Sequence, residues 1–111
     1  NLNEANLTDA NLVNANLTSA NLINASLGEA NLIRGVLEKA NLRSAFLREA
    51  NLNEANLTGA NLTYSDLENA VLKKANLTDA DLTDAKMRNA MIDGAILCRT
   101  KMPWGEENGG C

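Results

Sequence analysis

The sequence has no histidine, and Cys98 and Cys111 are its only cysteines among 111 residues. Without histidine the chain lacks the side chain that most often serves as a general base or a metal ligand, and two cysteines cannot by themselves complete a four-ligand zinc site. No apolar run approaches the roughly 18 residues that a membrane-spanning helix needs. The composition argues against an enzyme, and it predicts no catalytic residue, metal site, cofactor or membrane span.

Charge of either sign is also modest. The chain carries 10 Lys and Arg against 14 Asp and Glu, a net charge of −4. Proteins that bind nucleic acid through its phosphates need a positive surface, so direct nucleic-acid binding is not expected. The length fits a single domain.

A five-residue period runs through most of the chain. Division every five residues gives NLNEA, NLTDA, NLVNA and so on, which makes twenty pentads in unbroken phase up to residue 100. The second position is Leu in all pentads except those with Met87 and Ile92, and the fifth is Ala in all but three. A period of five fits neither the 3.6-residue repeat of a helix nor the two-residue alternation of a flat strand.

The pentad predicts a chain that coils with flat sides. The fifth residue of one pentad and the second of the next are two apart, so in extended backbone their side chains share a face, which we take as the inner face. The other residues carry the chain around a corner, and successive coils stack by backbone hydrogen bonds at about 4.8 Å. No inward position before residue 100 is charged, which predicts a dry core of Leu and Ala.

The charges indicate how many pentads make one coil. Residues one coil apart lie above each other, where opposite charges stabilise and like charges destabilise. A spacing of twenty residues gives eight opposite pairs and two like pairs. A spacing of fifteen gives three opposite and three like pairs, and a spacing of twenty-five gives three opposite and six like pairs. The sequence therefore favours four pentads per coil.

The tandem A-N-L-x-x pattern resembles the pentapeptide repeat family over residues 1–100. The resemblance implies an all-β fold, a right-handed quadrilateral parallel β-helix of about five coils. Because no central position is Phe, it also implies one uniform kind of turn. Residues 101–111 are then a C-terminal capping segment. Many members of the family come from cyanobacteria, and a cyanobacterial source is expected here.

The function that fits these features is a non-catalytic structural or protein-interaction module with an unknown protein partner. An enzyme is not expected, since a Leu-packed interior leaves no cleft. The resemblance offers one alternative, because some family members are DNA mimics that bind type II topoisomerases. Interleaved positive residues make this chain a weak imitation of DNA.

The chain begins in mid-repeat without Met, so we expect residues to have been removed before Asn1. An uncapped first coil also predicts end-to-end self-association.

Outward apolar residues mark a candidate interaction surface, because the core does not need them. Val71 and Met91 share one column, and Ile96 lies just past the corner. Single exposed apolar residues are common on protein surfaces, so a structural interpretation stays open. Phe46 stands alone on another side and receives less weight.

Two polar columns are interpreted as mainly structural. Asp9, Glu29 and Glu49 form an acidic column, and we favour a solvated face over a cation site because three carboxylates in one column make a shallow cage. Asn occupies the first position of eleven pentads. These Asn side chains are expected to stabilise the stack, as ladders or through bonds to the turn backbone.

The five-residue rhythm fails after Thr100. Met102 and Trp104 are predicted to fold over the last coil, since a bare apolar end must be covered. Cys98 occupies an outward position and Cys111 ends the segment, which predicts a disulfide that fastens the tail. Two free thiols in a reducing cytoplasm are the alternative. A disulfide favours the periplasm or the thylakoid lumen over the cytoplasm.

Overall fold

The structure, a computed structural model, describes residues 1–111. Each pentad forms one short straight segment and one turn. The N–H of the fifth residue donates to the C=O of the second, as from Ala45 to Leu42 at 3.0 Å. The fourth residue has a positive φ in all twenty pentads, between 49° and 71°. Positive φ at the third residue of a four-residue turn is the mark of type II turns, so the predicted uniformity of the turns is found.

Successive levels of the chain stack in parallel with a spacing of twenty residues. Parallel bridges join first-position residues, beginning with Asn6 to Ser26 and ending with Asp81 to Lys101. Between the levels the N–H of each second residue from Leu2 to Leu82 donates to the C=O of the first residue one level on, as from Leu42 to Asn61 at 2.7 Å. The spacing of stacked residues is the one that the charge pattern favoured.

Leucine and alanine fill the interior of this β-helix. Every second-position Leu from Leu22 to Leu82 is fully buried. Burial of one such side chain contributes about 1.5–3 kcal/mol. Ser65 replaces Ala at one inward position, and its hydroxyl donates to the C=O of Leu62 at 2.7 Å. The packed interior contains no cavity.

Asparagine at the first position bonds to its own turn. In each of the eleven pentads that begin with Asn, the Oδ1 atom accepts the N–H of the residue two positions on, as from Thr63 to Asn61 at 3.0 Å. Asp66 and Asp81 do the same. The third-position N–H has no backbone partner, so this side chain supplies the missing acceptor. Of the two structural roles expected for Asn, the structure shows bonding to the turn.

The C-terminal segment forms an antiparallel hairpin. Strand β1, Thr100–Met102, pairs with strand β2, Gly105–Glu107. Met102 occupies an inward position and is buried, as predicted. Trp104 does not cover the core. It lies in the two-residue turn of the hairpin, 60% exposed, and its Nε1–H donates to Glu107 Oε1 at 2.9 Å.

The structure contains no helix with the length and apolar character needed to span a bilayer.

Candidate functional surfaces

The three residues of the predicted interaction surface are divided between two sides of the β-helix. Val71 and Met91 are joined by a parallel bridge and therefore stack on one side, where Met91 is 45% exposed. Ile96, 37% exposed, begins the next pentad and faces the neighbouring side. The tail passes close to it, since a Cβ on Gly110 would lie 3.2 Å from Ile96 Cγ2. The structure thus brings Val71 and Met91 together and places Ile96 beside the tail.

The acidic column is exposed and lies on the turns. Asp9, Glu29 and Glu49 each occupy a fourth position with φ between 56° and 61°. No group of three or more Asp, Glu or Cys side chains is arranged so that it could hold a metal ion. The structure offers no support for a cation site in this column.

Only some of the opposite charges that stack at the twenty-residue spacing form ion pairs. Of the eight opposite pairs, only Arg48 with Glu68, at 3.4 Å, and Asp79 with Arg99, at 2.7 Å, come within 4 Å. Arg48 makes a shorter contact of 2.6 Å with Asp66, which the twenty-residue spacing did not predict. Long side chains at the corners can reach sideways as well as along the column, so register alone does not determine the pairing.

Two of these carboxyl groups have lowered pKa values. The hydrogen bonds from Arg99 Nε and Nη2, at 2.7 and 3.0 Å, hold the pKa of Asp79 below its usual value. Burial raises the pKa of Asp66, but hydrogen bonds from Arg48 and from the backbone N–H of Glu68 outweigh it and lower the pKa overall. Both carboxylates are therefore stabilised in the charged form.

One cation–π contact is not predicted by the twenty-residue spacing. The Arg43 guanidinium lies 5.0 Å from the centre of the Tyr64 ring. Tyr64 and Phe46 are about half exposed, and Phe46 bridges to Asp66, two residues after Tyr64, so the two aromatic residues lie near the same corner. A search for cation–aromatic pairs at twenty-one residues, one coil plus one position, would have found the contact.

The predicted disulfide joins Cys98 to Cys111, whose Cα atoms are 4.7 Å apart. Cys98 occupies an outward position of its pentad, yet it is only 6% exposed, because the returning tail covers it. The tail also accepts a hydrogen bond from Leu97 N–H to Gly109 O at 2.7 Å, and another from Arg99 N–H to Asn108 Oδ1 at 3.2 Å. The disulfide and these two hydrogen bonds fasten the tail to the last pentad.

Comparison with known proteins identifies relatives of this fold. The sequence matches the family described as Pentapeptide repeats (8 copies) over residues 1–38, 36–73 and 65–102. A search of curated proteins finds no match. Similar solved structures include the pentapeptide repeat protein alr5209 from Nostoc, with 39% identity, a TM-score of 0.67, and coverage of 68% of this chain and 63% of that one.

Two further structures resemble the chain. Rfr23 from the cyanobacterium Cyanothece is 37% identical over 73% of this chain and 58% of its own, with a TM-score of 0.55. A protein of the Arabidopsis thaliana thylakoid lumen is 28% identical over 86% and 63%, with a TM-score of 0.51. The chain thus spans about three fifths of the length of these structures. The family match and these relatives imply the right-handed β-helix that the resemblance predicted, and the chain belongs to the pentapeptide repeat family.

Proposed function

We propose that the chain is a non-catalytic protein-interaction module that binds its partner through the side bearing Val71 and Met91, with Ile96 at the edge of the contact. The observation that carries the proposal is the exposure of Met91, stacked on Val71 where the Leu core needs neither residue. Solid packing of the interior supports a role without catalysis, since substrates need a recessed site.

The architecture in this proposal is a rod of five coils on four sides, formed by residues 1–100, with residues 101–111 as its cap. The parallel bridges at twenty-residue spacing support the coil count. The disulfide and the hairpin support the cap. Such a rod presents rigid flat sides, which suits a binding surface because little conformational entropy is lost on association.

We place the protein in an oxidising compartment, the periplasm or the thylakoid lumen. The Cys98–Cys111 disulfide supports this location, because such bonds persist where thiols are not kept reduced. The Arabidopsis relative is a thylakoid lumen protein.

Affinity capture from the native host tests the interaction surface. The bait is the intact chain, compared with the double variant V71S/M91S and with a control, Phe46→Ser, which removes a somewhat more exposed apolar residue from another side. We expect a bound protein that is lost with the double variant and kept with the control. A partner retained equally by both variants, or no partner at all, would refute this assignment of the surface.

A further inference from the structure

Asparagine is unusually abundant in this chain, with eighteen residues of this type among 111. Asparagine can deamidate when the backbone nitrogen of the following residue attacks the side-chain Cγ atom. The attack forms a C–N bond, closes a five-membered succinimide and releases ammonia. Water then opens the ring at one of its two carbonyls and leaves aspartate or isoaspartate. The reaction therefore requires a backbone nitrogen that is free to move onto Cγ.

In seventeen of the eighteen cases that nitrogen is held by the fold. Where Leu follows Asn, the Leu N–H donates to the next coil, as Leu57 does to Asn76 O at 2.8 Å. Where Ala follows Asn, the Ala N–H closes the turn, as Ala70 does to Leu67 O at 3.0 Å. Glu4 and Glu54, which also follow Asn, donate to the next coil. Attack at any of these positions would first have to break a bond of the β-helix.

Asn108 is the exception. Its successor Gly109 donates its N–H to no acceptor in the structure, and both residues are exposed in the tail. Glycine also has no Cβ to obstruct the approach, so the nitrogen of Gly109 is the least hindered of all. Arg99 N–H donates to Asn108 Oδ1 at 3.2 Å, which draws electrons from the Cγ carbonyl and favours attack on it.

We propose that Asn108 is the deamidation site of the folded protein, and that the β-helix protects the other seventeen asparagines. Conversion of Asn108 changes how the tail is attached to the last pentad. Isoaspartate adds one methylene to the main chain between residues 108 and 109, next to the bond from Leu97 N–H to Gly109 O. The Cys98–Cys111 disulfide holds the far end of the segment in place. The tail is therefore strained or shifted rather than released, and the modification accumulates with the age of the molecule.

Peptide mapping of the folded, disulfide-bonded chain tests the proposal after prolonged incubation in mildly alkaline buffer. After the incubation the disulfide is reduced, and cleavage after Lys101 then yields a peptide that begins at Met102 and contains Asn108 as its only asparagine. We expect the mass shift of amide-to-acid conversion, and an isoaspartate signal, in this peptide before any other. A synthetic peptide of residues 102–111 provides the reference rate. Early conversion in a coil peptide, or an intact Asn108 while the synthetic peptide converts, would overturn the proposal.

Gly109→Ala is the matched variant. An added Cβ at this position meets no atom within 4 Å, and the φ of Gly109 is not positive, so the fold accommodates Ala. Conversion at Asn108 should then slow while the tail stays in place. Reduced chain held in denaturant gives the complementary result, since the coil asparagines should begin to convert once their neighbours lose their hydrogen bonds. Coil asparagines that convert no faster in denaturant than in the folded chain would contradict protection by the fold.

Discussion

Asparagine at the head of a pentad shows how a single side chain stabilises this fold. The corner leaves the third-position N–H without a backbone acceptor, and the Asn Oδ1 atom provides one within the same pentad. Where Val71 takes the place of Asn, the Lys73 N–H finds a different acceptor, the Oδ1 of Asn53 one coil earlier, at 3.1 Å. The preference for Asn therefore follows from the hydrogen-bonding requirement of the turn.

Asn61→Ala tests this role. The substitution removes the acceptor of both the Thr63 N–H and the Thr63 hydroxyl. We expect a loss of about 1 kcal/mol in the free energy of unfolding, measured by denaturant titration. Ser26→Ala is the control, because the Ser26 side chain makes no hydrogen bond, and its effect should stay within about 0.5 kcal/mol. Equal losses in the two variants would show that the turn does not depend on this bond.

The pairing of Asp79 with Arg99 predicts a dependence of stability on pH. The pKa of Asp79 is lowered in the folded state, so the folded state binds fewer protons than the unfolded state near that pKa. The stabilisation is complete above the unfolded value of about 3.9 and is lost as the pH falls through the folded pKa.

Thermal unfolding between neutral pH and pH of about 3 measures this effect. Asp79→Asn should reduce the loss of stability on acidification, whereas Asp84→Asn, which removes a carboxylate without an ion pair, should reduce it less. Identical acid profiles for the two variants would contradict a stabilising role for the pair.

At the scale of the element, the repeating unit is a turn that requires a left-handed residue at every corner. Eighteen of the twenty fourth positions hold a residue other than Gly, among them Asn, Asp, Ser, Lys and Glu. Left-handed backbone costs roughly 1–2 kcal/mol for a residue with a Cβ, less for Asn and Asp. The packed Leu column and the backbone ladder compensate for that cost at each level.

Asn69→Val measures the conformational cost of one corner. Asn69 is exposed, has a φ of 60°, and makes no side-chain hydrogen bond, so the substitution changes little besides the backbone preference. We expect a loss of about 1–2 kcal/mol in the free energy of unfolding, since β-branched residues tolerate positive φ poorly. Lys73→Val places the same residue at an exposed third position without positive φ, where the change should be near zero. A comparable loss of stability in Lys73→Val would show that valine destabilises the protein whatever the backbone φ at its position.

We expect the tail to depend on the Cys98–Cys111 disulfide more than the coils do. Cys111→Ser removes the disulfide, which closes a loop between residues 13 apart in the sequence. In the chain-entropy model, a disulfide that closes a loop of about this size contributes roughly 3 kcal/mol to the free energy of unfolding. Hydrogen exchange should then accelerate at Leu97, whose N–H donates to Gly109, and remain slow at Leu57 in the central coils. Equal acceleration at both amides would mean that the disulfide stabilises the whole rod.

At the scale of the whole molecule, the sequence predicts the repetitive part well and the exceptions poorly. Leu and Ala positions specify the inner face, because side chains two apart in extended backbone share a direction. Charge pairs separated by twenty residues predict the stacking, since register follows from the fixed pentad length. Side-chain contacts at the corners also depend on rotamers, so Arg48 pairs with Asp66 and Arg43 contacts Tyr64 at spacings other than twenty residues.

The C-terminal segment shows the same limit. Met102 continues the inward pattern and was placed correctly, whereas Trp104 lies in a hairpin turn that no repeat encodes. Cys98 has the sequence position of an outward residue, and only the path of the tail buries it. The candidate surface of Val71 and Met91 followed from the register, whereas the position of the tail beside Ile96 did not.

Overall charge and size lead to a prediction about type II topoisomerases. The longest dimension of the molecule is 33 Å, and duplex DNA of that length carries about 19 negative charges at one per 1.7 Å. The chain has a net charge of −4, and Arg48 and Arg99 neutralise carboxylates on its surface. Its field is therefore far weaker than that of DNA. We expect no loss of DNA supercoiling by gyrase at low micromolar protein, with a fluoroquinolone as the positive control. Potent inhibition that disappears when surface carboxylates are neutralised would establish the DNA-mimic function instead.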